Sequence, residues 1–172
     1  MWVARAVEGF VFGDLTTVVV ETLKGVPMLI ESSDDRVRER LIPDTYAEED
    51  DEAHWREHAV PELERLFLSR AQLVQRDLDG IRPLSGSSNS VLLIPDEHVN
   101  AWLAALNAAR LALYVLNDMT AEHFEVDGFG KASVKQREAL LRIEMLAEIQ
   151  SVMLGEHDVG EDQISFDDFM LD

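Results

Sequence analysis

Apolar residues recur along this chain at helical spacing in four long stretches, and as short extended runs in two more places. Between Leu15 and Ile30 the apolar positions Val19, Leu23, Val26 and Ile30 are spaced four, three and four, as on one face of a helix. The β-branched run Val18-Val19-Val20, with Gly25 and Pro27, works against that helix. It is therefore expected to kink or end near Gly25, with Asp14 as its cap. A second stripe comprises Val60, Leu63, Phe67, Ala71, Val74 and Leu78. It starts near Pro61, a residue suited to a first helical turn, and stops at Gly80. Residues 51–59 leave room for a separate short helix before it, and Arg36–Leu41 for one or two turns closed by Pro43.

The third stretch, Pro95–Asn117, is apolar on nearly every side, which places it in the middle of a domain. One of its faces reads Val99, Trp102, Leu106, Ala109, Leu113 and Leu116; another reads Ala104, Ala108, Leu111 and Val115. Two apolar faces call for neighbours on both sides, and Asp96 is expected to cap the start. The fourth stretch opens on a capping box, Ser133 with Gln136, and carries Leu141, Met145, Ile149 and Val152 as its expected buried stripe. Trp2–Val7 and Phe10–Phe12 flank Glu8-Gly9 and read as a hairpin, with Val91–Ile94 as a strand beside it. Arg82–Asn89 reads as a loop, Thr120 as the start of a helical turn, and Gly128–Gly130 as a flexible link. The pattern predicts a mainly α fold: a helical bundle around a central buried helix, with a small antiparallel β-sheet at the N-terminal side. Residues 1–154 form one domain in this reading, and residues 155–172 an acidic, mobile tail.

Charge narrows the partners. The chain carries 34 acids against 15 bases, a formal charge of −19, and no cysteine. Such a protein is repelled by nucleic-acid backbones and anionic membrane surfaces. The apolar runs are read as too short for the ~20 residues that span a bilayer. With no charged-then-apolar leader and no disulfide to form, the cytoplasm is the expected compartment. The acids are clustered: six between Asp44 and Glu52, and seven from Glu156 onward, with no base in either segment. In the tail, Phe166 and Phe169 flank Asp167 and Asp168, a mixture that suits a short docking peptide for a protein partner, the alternative being a tail packed on its own domain or on a neighbour.

Candidate chemistry is sparse. His54 and His58 lie four apart and share a helix face, one requirement for a metal, but Arg56 sits between them and the motif is not His-Glu-x-x-His. Asp127–Lys131 has glycines and a lysine without Walker spacing. The aspartate-rich tail lacks the residue order of a calcium loop. Ser85, Ser87 and Ser88 have no histidine near them in sequence. No catalytic residue, metal or cofactor is assigned. The remaining polar feature is Asn107 with Arg110 inside the apolar helix. A buried lone charge is too costly to leave unpaired, so Arg110 is expected to form an internal lock, with Asp44 as the carboxylate and Asn107 bonded to a loop backbone. The alternative is that Asn107 and Arg110 line a pocket for an anionic small molecule.

Two segments carry a family resemblance: Arg40-Leu41-Ile42-Pro43-Asp44-Thr45, and Ala101-Trp102-Leu103-Ala104-Ala105-Leu106-Asn107-Ala108-Ala109-Arg110-Leu111-Ala112-Leu113. The chain resembles a bacterial family of unknown function, common in actinobacteria, whose members carry Arg-Leu-Phe-Pro-Asp-Ala and a matching Trp-containing helix. It departs from that pattern at Ile42 and Thr45. The resemblance spans about residues 1–154 and implies genes lying beside the adaptor of the Clp protease; some relatives have been labelled transcriptional regulators. It transfers Arg40, Pro43, Asp44, Trp102, Asn107 and Arg110 as candidates, and no activity. The reading that results is a non-enzymatic interaction or regulatory protein with an acidic docking surface. Transcriptional regulation needs a basic helix, and Lys135, Arg137 and Arg142 are offset by Glu138, Glu144 and Glu148. The alanine-rich central helix also allows a homodimer.

Overall fold

The computed structural model describes residues 1–155 and 165–169. Two strands open the chain, β1 (Trp2–Arg5) and β2 (Gly9–Leu15), followed by α1 (Thr17–Ile30), α2 (Asp35–Leu41), α3 (Glu49–His58) and α4 (Val60–Asp79). A short strand β3 (Arg82–Pro83) and β4 (Ser90–Pro95) lead through a 3-10 turn into α5 (Val99–Leu116). A second 3-10 turn, a single-turn helix α6 (Gly128–Lys131) and α7 (Val134–Met153) follow, and a last 3-10 turn spans Phe166–Phe169. The mainly α reading holds: seven helices and one small antiparallel sheet make up the described residues.

The sheet order is β1-β2-β4-β3, all antiparallel. The hairpin forms where the glycine signal placed it, with Val3 opposite Phe12 and Arg5 opposite Phe10. Gly9 is required there, because a Cβ would lie 2.1 Å from the Ile94 carbonyl oxygen of the adjoining strand. Side chains alternate across the sheet. Phe10, Phe12, Leu92 and Ile94 face the helices; Ala6, Val11 and Val91 form a separate cluster on the other side. Arg82–Pro83, read from sequence as loop, extends the sheet by two residues paired with Ser90 and Val91.

Helix α5 is the centre, packed against α1, α2, α4 and α7. Trp102, Leu106 and Ala109 are wholly buried in the main core with Leu23, Val26, Val74, Leu78, Leu146 and Ile149. The span Asp96–Leu116 is in fact long and apolar enough to cross a bilayer, contrary to the expectation from run lengths. Its length and composition are those of a helix that must satisfy neighbours on several sides at once.

Five local expectations need correction. Helix α1 runs through Gly25 and Pro27 to Ile30 instead of ending near Gly25. Its apolar face docks on α4 and α5, and that burial offsets the hydrogen bond that Pro27 cannot donate. Asp14 does not cap it: Thr16 is the N-cap, and the Asp14 carboxylate accepts from the Asn89 side chain at 2.7 Å. Asp96 does not cap α5 either. It begins the 3-10 turn and binds Arg5 at 2.6 Å, tying β1 to that turn. In α7 the buried stripe is Ala139, Leu140, Ile143, Leu146, Ile149, Val152 and Met153; Leu141 is exposed and Met145 half-buried. The capping box of Ser133 with Gln136 is present, and Gly128–Lys131 forms a helical turn instead of a link.

Candidate functional site

The polar lock of the core is elsewhere than Arg110. Near the end of α4, the Asp77 carboxylate accepts the indole N–H of Trp102 at 2.8 Å and meets His98 Nδ1 at 3.0 Å. Trp102 is wholly buried, and the Asp77 side chain is only 8% exposed. His98 and Trp102 are four apart at the start of α5, so one acceptor on α4 reaches both. The sequence did carry this signal: Asp77 sits beside Leu78 and three residues after Val74, on the buried stripe of α4, where a charge needs a partner.

Arg110 has a different partner from the one expected. Its Nη1 donates to Gln150 Oε1 at 2.7 Å, and Gln150 Nε2 donates to the Leu103 carbonyl at 2.9 Å. This pair ties α7 to α5 at a half-buried position, where the Arg110 Nε–H is buried without a hydrogen-bond partner. The Asp44 carboxylate bonds Arg56 of α3 and is largely exposed. Asn107 is exposed on α5. The expected Asp44–Asn107–Arg110 lock therefore does not form. Sequence order placed Arg110 inside the apolar helix, but its long side chain reaches the helix flank, where a neutral amide suffices. Of the other residues the resemblance transferred, Arg40 lies over the Tyr114 ring at 5.9 Å and Trp102 is the lock donor.

His54 and His58 stack edge to face on α3, with ring centroids 4.3 Å apart, beside Asp51 in a hollow lined also by Tyr46 and Trp55. Among the described residues, no group of three acidic, histidine or cysteine side chains is arranged to hold a metal.

Two surfaces stand out. The first is a groove of about 510 Å³ between α1, α5 and α7. Leu29, Leu113, Leu116 and Met145 are half-buried or buried in it; Val18, Met28 and Leu141 stand at its edge, 65%, 74% and 58% exposed. Its polar margin is Glu21, Thr22, Glu138 and Arg142. The misread stripe of α7 explains how the groove arises. Leu141 and Met145 are apolar at helical spacing and both line this opening; Met145 also packs against the core, whereas Leu141 is left exposed.

The second is the face of the sheet turned away from the helices. Phe166 and Phe169, the aromatic pair of the tail, pack there against the cluster of Ala6, Val11 and Val91 with Leu84 and Leu93. The Phe169 ring is 6.1 Å from Trp2. Glu8 in the hairpin turn accepts the Ser165 hydroxyl at 2.7 Å and the Phe166 N–H at 3.1 Å. The Ser165 hydroxyl and this N–H hold the Glu8 carboxyl below its ordinary range. Asp167 and Asp168 are exposed. The docking residues thus lie on the chain's own sheet. The rest of the expected mobile tail, residues 156–164 and 170–172, lies outside the described residues.

Comparison with known proteins adds a family and no chemistry. No curated protein and no solved structure matches the chain. Residues 4–155, the sheet from the middle of β1 onward and all seven helices but not the docked aromatic turn, match the family described as "Domain of unknown function (DUF2017)", and this chain belongs to that family.

Proposed function

We propose that this protein is a non-enzymatic interaction module that receives an amphipathic helix of a partner protein in the groove between α1 and α7. The observation that carries this reading is the exposure of Val18, Met28 and Leu141 around an apolar trough. Large apolar side chains left open around a concavity mark a binding surface more than scattered exposure does. Helix α1 has 14 residues. At about 1.5 Å per residue that gives a wall of roughly 20 Å, enough for about four turns of a docked helix. Methionines at positions 28 and 145 adapt to a partner's shape at small cost. Glu21 and Glu138 on the margin, within a chain of formal charge −19, favour an occupant with basic residues flanking its apolar face.

The bacterial cytoplasm is the proposed setting. The neighbouring gene that the family resemblance implies makes the adaptor of the Clp protease the first partner to test. A photo-crosslinking side chain at Met28, expressed in source cells, is expected to give one heterotypic adduct. The same group at Val126, exposed but outside the groove, is expected to give none. Absence of an adduct at Met28, or equal adducts at both positions, refutes the reading. An adduct of two chains of this protein would make the groove a homodimer interface instead.

A further inference from the structure

The sheet face opposite the helices belongs to the family domain, yet part of its cover does not. Ala6, Val11 and Val91 lie within residues 4–155, whereas Phe166 and Phe169 lie beyond them. Val11 is fully buried and Val91 nearly so, and among the described residues the aromatic pair packs directly on their cluster. We propose that this face is a peptide-binding surface whose resident occupant is the chain's own Ser165–Phe169 segment, held in cis. A partner peptide of the same chemistry, a hydroxyl residue followed by aromatics at the next and fourth positions, displaces it.

Three observations define what the face selects. Its apolar floor is flanked by Trp2, and it takes two rings from one helical turn. A Cβ on Gly13 would lie 2.0 Å from the Trp2 ring, so this glycine lets the indole lie flat on β2, where it meets Phe169. Glu8 then reads two donors at the start of the peptide, the hydroxyl of Ser165 and the N–H of Phe166. The segment is also pre-shaped: Ser165 N–H donates to Asp168 Oδ2 at 2.9 Å, and Asp167 N–H to the Ser165 hydroxyl at 3.3 Å. Asp168 therefore closes the turn and Asp167 faces water; neither supplies attraction to a chain that is itself strongly acidic.

The attraction is apolar contact and hydrogen bonding, working against charge repulsion. That makes the contact weak for a free peptide and favourable for a tethered one. Nine residues separate Gly155 from Ser165. A link of that length supplies an effective concentration on the order of millimolar, which keeps a weak site occupied in cis while leaving it open to competition. The groove between α1 and α7 is a different surface, so this inference stands or falls independently of it.

The test uses the full chain carrying Phe166→Ala and Phe169→Ala, together with a capped peptide corresponding to Ser165–Phe169. Both substitutions lie outside the main core, and an unchanged spectrum for the buried Trp102 verifies folding. The Trp2 indole signal is expected to move between wild type and the double variant. Peptide titration of the double variant is expected to give saturable methyl shifts at Val11 and Val91. Wild type is expected to need at least ~10-fold more peptide, because its own segment competes. Adding Glu8→Gln to the double variant is expected to weaken peptide binding, and added salt to tighten it by screening repulsion. An unmoved Trp2 signal, no saturable shift at Val11 and Val91, or equal titrations of the two proteins would overturn the proposal.

Discussion

Removing the Asp77 carboxylate tests the account of the core most directly. In Asp77→Ala, the Trp102 indole N–H is left without its acceptor at a position with no solvent exposure. A buried donor stranded in this way costs about 1–3 kcal/mol. His98 loses the same partner, but its side chain is 17% exposed and can turn to water, so its share is on the order of 0.5–1 kcal/mol. The expected loss is therefore about 1.5–4 kcal/mol. For a chain of 172 residues, this corresponds to a Tm lowered by roughly 3–16 °C. Urea unfolding followed by tryptophan fluorescence measures it. A second arm isolates the contact: Trp102→Phe removes the donor, and Asp77→Ala should cost about 1–2 kcal/mol less in that background than alone. A loss below about 0.5 kcal/mol for Asp77→Ala, or additive effects of the two substitutions, would refute the lock.

The remaining predictions concern the positions where sequence and structure diverged, and the tail. Arg110→Met is expected to cost no more than about 1–1.5 kcal/mol in the same unfolding assay, because its half-buried contact is with a neutral amide; a loss of about 3–5 kcal/mol would restore the buried ion pair. Asp44→Ala, which breaks an exposed pair with Arg56, should change stability by less than about 1 kcal/mol. The Glu8 carboxyl is held low by Ser165 and Phe166, so the docked segment is favoured above the free carboxyl's pKa and loses that support as pH falls through the docked pKa. The Trp2 signal should accordingly drift toward that of the Phe166→Ala/Phe169→Ala variant under acid, and Glu8→Gln should abolish the drift. Gly9→Ala sets a Cβ against the backbone of the neighbouring strand and should lower Tm by several degrees; an unchanged Tm would contradict the close approach of β2 to Ile94.

The periodicity of apolar residues by itself determined the four long helices, the hairpin at Glu8-Gly9, the strand before Pro95 and the central place of the Trp102 helix. These are local properties: a face that must be buried repeats every three or four residues, and glycine is needed where two backbones nearly touch. The capping box at Ser133 was legible for the same reason, since donor and acceptor lie within one turn. What only the tertiary structure decided depends on contacts between residues far apart in sequence. Helix α1 survives Gly25 and Pro27 because α4 and α5 cover it. Arg110 meets Gln150, 40 positions away, while Asp77 receives Trp102, 25 positions away. An apolar position says that something must cover it, but not what. Leu141 and Met145 repeat correctly and line an open groove, and Phe166 and Phe169, whose sequence allowed either another protein or their own domain, lie on their own sheet. Long-range partner choice follows from the packing of whole elements, and no pattern within one segment encodes it.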